Sequence, residues 1–175
     1  MAMARAVRRL LDGLYLAGGI AGAGFLVLIL VIIVAQMVAR WTGQVFPGAT
    51  AYAGYCMAAA SALTLAHALN RGAHIRVTLL LGRMGRWRKA GEIWAHVIAA
   101  VTATFFARYA INLVYWSEKL NDISQGQDAT PLWIPQLALA AGACLLAIAL
   151  WDHVIRLVLT AHMGVAEPDA AGARE

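Results

Sequence analysis

The stretch Leu14–Val38, LYLAGGIAGAGFLVLILVIIVAQMV, decides the fold class, because its 25 residues include no Asp, Glu, Lys or Arg. A helix needs about 20 apolar residues to cross a hydrocarbon core of about 30 Å, and within it every backbone amide finds a partner, as lipid requires. Outward from this run the pattern repeats. No charge falls from Trp41 to Asn70, only Arg108 falls from Ile93 to Ser117, and none falls from Ala129 to Trp151. The 175-residue chain is 62% hydrophobic and 13% charged, against about 25% charged in soluble domains. This predicts an all-α integral membrane protein, one membrane domain over residues 1–163, with four transmembrane helices at about 14–38, 49–69, 93–116 and 131–151. No room remains for a soluble catalytic domain, so the chain is not expected to be an enzyme. A nucleic-acid binder is also excluded, in spite of a pI near 9.7.

Arg5, Arg8 and Arg9 precede the first run and small residues follow at Ala21–Ala23, as in a cleaved leader. A leader's apolar core is about 7–15 residues long, whereas Gly13–Ala39 is uncharged for 27, which predicts a retained span. Gly18 and Gly22 stand at the spacing that lets a second helix approach closely, and Gly54, Ala58 and Ala62 repeat that spacing on the second span. Thr42, Gly43, Pro47 and Gly48 form the linker between the two. Cys56 and Cys144 both lie in apolar runs. Their expected depths differ by roughly 10 Å, too far for a disulfide, so both are read as packing residues.

The segment at about 72–90 is read as basic and amphipathic. Arg71–Lys89 holds six of the fourteen basic residues and no acid. Val77, Leu80, Leu81, Met84 and Trp87 share one arc of a helical wheel, with Arg76, Thr78, Arg83, Arg86 and Lys89 opposite. Ile75, Leu79 and Arg88 break the pattern, and Gly82 and Gly85 weaken it. Such a segment is expected to lie in the lipid headgroup region. A polar loop, Glu118–Asp128, follows the third span. Thr130 before Pro131 predicts the start of the fourth helix, since Pro lacks an N–H that would be orphaned there. That helix is expected to continue past the span through Asp152 and Arg156 towards His162. Residues 164–175, small and acidic, are expected to form a disordered tail.

Orientation follows from the basic residues flanking each span. Eleven of the fourteen fall on one side, Arg40 and Lys119 on the other, and Arg108 inside a span, so both termini are expected in the cytoplasm. Trp41, Tyr52, Tyr115, Trp116 and Trp133 then mark the outer interface, and Trp87, Trp94 and Trp151 the inner one.

The spans contain few groups for chemistry. Gln36, Ser61, Thr64, His67, His96, Thr102, Thr104, Arg108, Asn112 and Gln136 are polar, and none is Asp or Glu. Without an intramembrane acid the chain does not resemble a carboxylate-based proton carrier. No metal, nucleotide or nucleophile motif is present, and no cofactor is expected. Arg108 is open to three readings: snorkelling to headgroups, pairing with an acid on a partner protein, or binding an anionic substrate. His67, His96 and His153 fall near one end of their spans, so a four-helix b-type cytochrome is the alternative function. His74, between Arg71 and Arg76 and after Gly72, is read as a turn anchored on phosphate headgroups.

Two strings carry a resemblance. Arg-Gly-Ala-His-Ile-Arg-Val at Arg71–Val77, directly after the second span, resembles a pattern in the small membrane subunit, DctQ type, of tripartite ATP-independent periplasmic (TRAP) transporters. Thr-Pro-Leu-Trp-Ile-Pro-Gln at Thr130–Gln136 is similar to the family's Pro-containing start of the fourth span. The resemblance covers roughly Leu14–Leu159, and Thr78 departs from it where many members carry Asp. It implies a small subunit in the bacterial inner membrane that scaffolds a large multi-span permease subunit. That permease moves a small organic anion by a sodium-driven mechanism, with the sodium sites its own, and a periplasmic binding protein delivers the anion. Under the resemblance, Arg71, His74 and Arg76, together with Arg83, Arg86 and Trp87, would anchor the interfacial segment on membrane lipids. Arg108 is grouped with them as an interface or anchoring residue, its three readings left open, and Glu118, Lys119, Asp122 and Asp128 would help dock the binding protein.

Overall fold

The computed structural model describes residues 2–70 and 88–163, with side chains over residues 8–70 and 90–158. Most of the expected interfacial segment, with Arg71, His74, Arg76, Arg83, Arg86 and Trp87, lies outside the described residues, as does the expected tail at 164–175. Four helices make up nearly all of what is described: α1 (Ala2–Trp41), α2 (Ala49–Asn70), α3 (Arg88–Lys119) and α4 (Trp133–Met163). Among the described residues, α1, α3 and α4 each contain a stretch long and apolar enough to cross a membrane. The 22 residues of α2 reach about 33 Å, but it is rich in alanine.

Each expected span corresponds to one helix, with two corrections at the ends. Helix α1 extends the first expected span back to Ala2, so Arg8 and Arg9 sit on helix. Residues 88–90, assigned to the interfacial segment, instead open α3. The fourth helix starts at Trp133, not Pro131. Pro131 forms an isolated antiparallel bridge with Ile123, and the helix opens with Ile134 N–H donating to the Pro131 carbonyl at 3.2 Å. Pro135 in the first helical turn costs no hydrogen bond, because that turn's N–H groups have no intrahelical acceptor.

Two helices end in the same device. At the end of α1, Gln44 N–H donates to Ala39 O at 2.9 Å and Gly43 N–H to Arg40 O at 3.3 Å. Gly43 adopts φ +73°, the left-handed conformation that glycine takes without steric cost. At the end of α3, Asp122 N–H donates to Ser117 O at 2.9 Å and Asn121 N–H to Glu118 O at 3.2 Å. Asn121, at φ 51°, takes glycine's place there.

α2 packs against α1 on one side and α4 on the other, and α3 packs on α4. The order in space is therefore α1, α2, α4, α3, with α1 also touching α4 lightly. Neighbours in the chain run antiparallel, so the start of α1 and the end of α4 lie at one end of the row, where Arg8 reaches Asp152. Small residues set the spacing. A Cβ on Gly18 would stand 3.0 Å from the Leu63 carbonyl oxygen, and one on Gly22 2.5 Å from Thr64 Cγ2. These two glycines are the expected close-approach pair. On α2 one of the three positions of the expected small stripe lies at a contact: Ala62 is buried and faces Gly142 of α4. Gly54 has nothing within 4 Å and Ala58 is exposed, while Cys56, Ala59, Ala60, Leu63 and Ala66 are buried. The cause is that α2 has neighbours on two sides, so its buried arc is wider than one spaced motif. Cys56 and Cys144 are both free thiols.

Helices α3 and α4 meet along alanine. Ala100, Ala103, Ala107 and Ala110 share a buried cluster with Ala140, Ala143, Ala147, Leu150 and Val154. Both sets step by three and four residues, the spacing of helices crossing at a shallow angle. In lipid this close approach gains dispersion rather than hydrophobic burial. Trp151 Nε1 donates to Thr104 Oγ1 at 2.9 Å across the same pair.

Candidate interaction surfaces

The loop end of the row, where α1 stops and α2 starts, is closed by residues 120–132. Ser124 N–H donates to Thr130 O at 2.8 Å and Leu132 N–H to Asp122 O at 2.9 Å, making a narrow closed loop. Its anchor is Asp128. The Tyr55 hydroxyl lies 3.1 Å from Asp128 Oδ2 and 2.9 Å from Ser124 Oγ, and the Ser124 hydroxyl donates to Asp128 Oδ1 at 2.8 Å. Desolvation raises the Asp128 pKa, but hydrogen bonds from Thr130, Ser124, its own backbone N–H and Tyr55 outweigh it and hold the carboxyl below its ordinary value. Thr130 Oγ1 lies 3.4 Å from the Tyr52 hydroxyl, and Tyr52 meets Tyr55 edge-on at 6.4 Å. Gly48, at φ +79°, lets the loop sit on the start of α2, since a Cβ there would lie 2.6 Å from Asp128 Cβ.

The four candidate docking residues therefore separate. Asp128 is engaged within the fold, while Glu118, Lys119 and Asp122 are exposed. Lys119 Nζ lies over the rings of Trp116 and Tyr115, at 5.2 and 5.6 Å from their centroids. Tyr52, Tyr55 and Ser124 were not singled out by sequence for this role. The available signal was the spacing of Tyr52 and Tyr55, three residues apart at the start of a span.

At the opposite end, charge joins three helices. Arg8 lies 3.3 Å from Asp12 on its own helix and 3.8 Å from Asp152 on α4, where Arg156 also contacts Asp152 at 2.6 Å. Asn70 at the end of α2 donates to Asp12 Oδ1 at 3.3 Å. Tyr15, 1% exposed, packs in the core, and its hydroxyl has no hydrogen-bond partner among the described residues.

Most polar groups within the spans turn back on their own helix. Ser61 donates to Met57 O, Thr64 to Ala60 O, Thr102 to Ile98 O and Thr104 to Ala100 O, which satisfies each hydroxyl inside lipid. His96 Nδ1 lies 2.8 Å from Glu92 O. The rings of His96 and His153 stack at 4.7 Å with 25° between planes. Stacked faces do not aim ring nitrogens at a common iron between them, and His67 packs instead on Gly19. Among the described residues no three His, Cys, Asp or Glu side chains gather as a metal site would need.

Gln136 Oε1 is buried without a hydrogen-bond partner among the described residues, and Arg108 does not turn back on its helix either. It is exposed on α3, lines an open hollow with Thr104, Asn112 and Tyr115, and enters no ion pair among the described residues.

The model of the family described as "Tripartite ATP-independent periplasmic transporters, DctQ component" matches residues 29–160, more than half of the chain. The chain belongs to the DctQ family. This agrees with the two strings at Arg71–Val77 and Thr130–Gln136, and gives the protein the general role of a TRAP small membrane subunit. No curated protein matches the chain.

Proposed function

We propose that this DctQ protein is the small subunit that scaffolds the large sodium-coupled permease of a TRAP transporter in the bacterial inner membrane and helps dock its periplasmic binding protein for uptake of a small organic anion. The observation that carries the reading is the family match over residues 29–160. The open row of helices supports it: α1 and α3 each have a single main neighbour within the chain, leaving long apolar flanks for lipid and for another membrane protein. With both termini cytoplasmic, the end of α3 and the loop at 120–132 face the periplasm and present Glu118, Lys119 and Asp122 to the binding protein. Asp128 holds that loop on α2. Arg71, His74, Arg76, Arg83, Arg86 and Trp87 anchor the segment between α2 and α3 on the cytoplasmic lipid surface.

The test is co-expression with the neighbouring genes and purification through a tag on this chain in mild detergent. A large multi-span subunit is expected in stoichiometric yield. Its absence, or a Soret band retained through purification, would overturn the reading.

A further inference from the structure

The two outer helices of the row present different surfaces. The outward side of α1 is aliphatic, with Leu26, Val27, Leu30, Val31 and Val34 exposed, as suits lipid tails. The outward side of α3 carries Phe105, Phe106, Tyr109, Tyr115 and Trp116 exposed, and among them runs a polar line, Thr104, Arg108 and Asn112, at steps of four residues. Thr104 is already bonded to its own helix and to Trp151. Arg108 has no partner among the described residues, and a guanidinium facing hydrocarbon alone costs several kcal/mol.

Snorkelling is a poor remedy at this position. Arg108 stands eleven residues before Lys119, the last residue of α3, about 16 Å along the axis. Cα–Cβ bonds in a helix tilt towards its N-terminus, so the Arg108 side chain sets out away from the nearer interface and towards the middle of the span. This holds whichever way the protein is inserted. An intramembrane cation so placed is stabilised by an anion at its own depth, and none of the Asp and Glu residues in the described part of the chain lies within the uncharged core of a span.

We infer that the Arg108 side of α3 is the edge on which the large subunit docks, and that the docking helix brings an Asp or Glu to the depth of Arg108, with Asn112 donating or accepting beside the pair. The inference rests on the proposed function and adds to it which edge is occupied and by what chemistry. Aromatic side chains around the pair exclude lipid and water and strengthen the attraction. The aliphatic edge at α1 stays in contact with lipid.

The experiment uses the co-expressed complex, with a photo-crosslinking amino acid at Asn112 or, separately, at Val31. Crosslinking to the large subunit is expected from position 112 and not from 31. In parallel, Arg108→Leu is expected to lower recovery of the large subunit about tenfold, Arg108→Lys to restore most of it, and neither to change the melting temperature of the purified small subunit. Crosslinking from 31 alone, or full recovery with Arg108→Leu, overturns the inference and leaves the proposed function standing. Failure of the wild-type chain to recover any large subunit overturns both.

Discussion

Asp128 shows how a charged residue in a loop can serve the fold while its neighbours stay available. Its carboxylate accepts from Tyr55 and Ser124, and these bonds favour the ionised form over the protonated one. Because the folded pKa lies below the unfolded value, the stabilisation is complete above the unfolded carboxylate value of about 3.9 and disappears as pH falls through the lower folded pKa. Amide protection of residues 120–132, corrected for intrinsic exchange and followed by mass spectrometry, is therefore expected to stay level from about pH 8 to 5 and to fall only in stronger acid. Asp128→Asn should lower protection at neutral pH and remove the acid-dependent fall. The aspartate itself was legible as a loop residue, but its engagement was not, because Tyr55 lies far from it in the chain and only the packing of α2 on the loop brings them together.

The helices hold together through backbone proximity, and this is where substitutions should discriminate. A Cβ on Gly142 would meet Ala62 backbone carbon at 2.5 Å and backbone oxygen at 2.7 Å, so Gly142→Ala must push α4 away from α2. A loss of about 1–3 kcal/mol is expected, read as a lower melting temperature in detergent with a broadened elution profile. Gly54→Ala is the control. Nothing lies within 4 Å of a Cβ there, and alanine favours helix over glycine by about 1 kcal/mol, so melting should be unchanged or higher. The glycine spacing at Gly18 and Gly22 was readable from the sequence, because one helix approaching one neighbour leaves a periodic trace. Gly142 carried no such trace, since its importance comes from α4 lying between α2 and α3.

At the level of the whole molecule, antiparallel neighbours and the contact of Arg8 with Asp152 place the start of α1 and the end of α4 together, opposite the loop at 120–132. Alkaline phosphatase fused after Gly126 is expected to be active and after Met163 inactive. Equal activity at both would contradict the packing, and the reverse pattern would invert the proposed orientation. Composition and the placing of charges were enough to read a membrane protein built of apolar helices and the approximate position of each helix, because lipid tolerates few charges and those few delimit the helices. Two local strings of the sequence also carried the DctQ resemblance. The order α1, α2, α4, α3, the engagement of Asp128 and the exposure of Arg108 on an outer edge emerge from the packed helices. Hydropathy reports whether a residue is in lipid or water, but in a membrane both the protein interior and its surroundings are apolar. Which face meets a neighbour depends on how closely backbones approach, a property of the packed helices together.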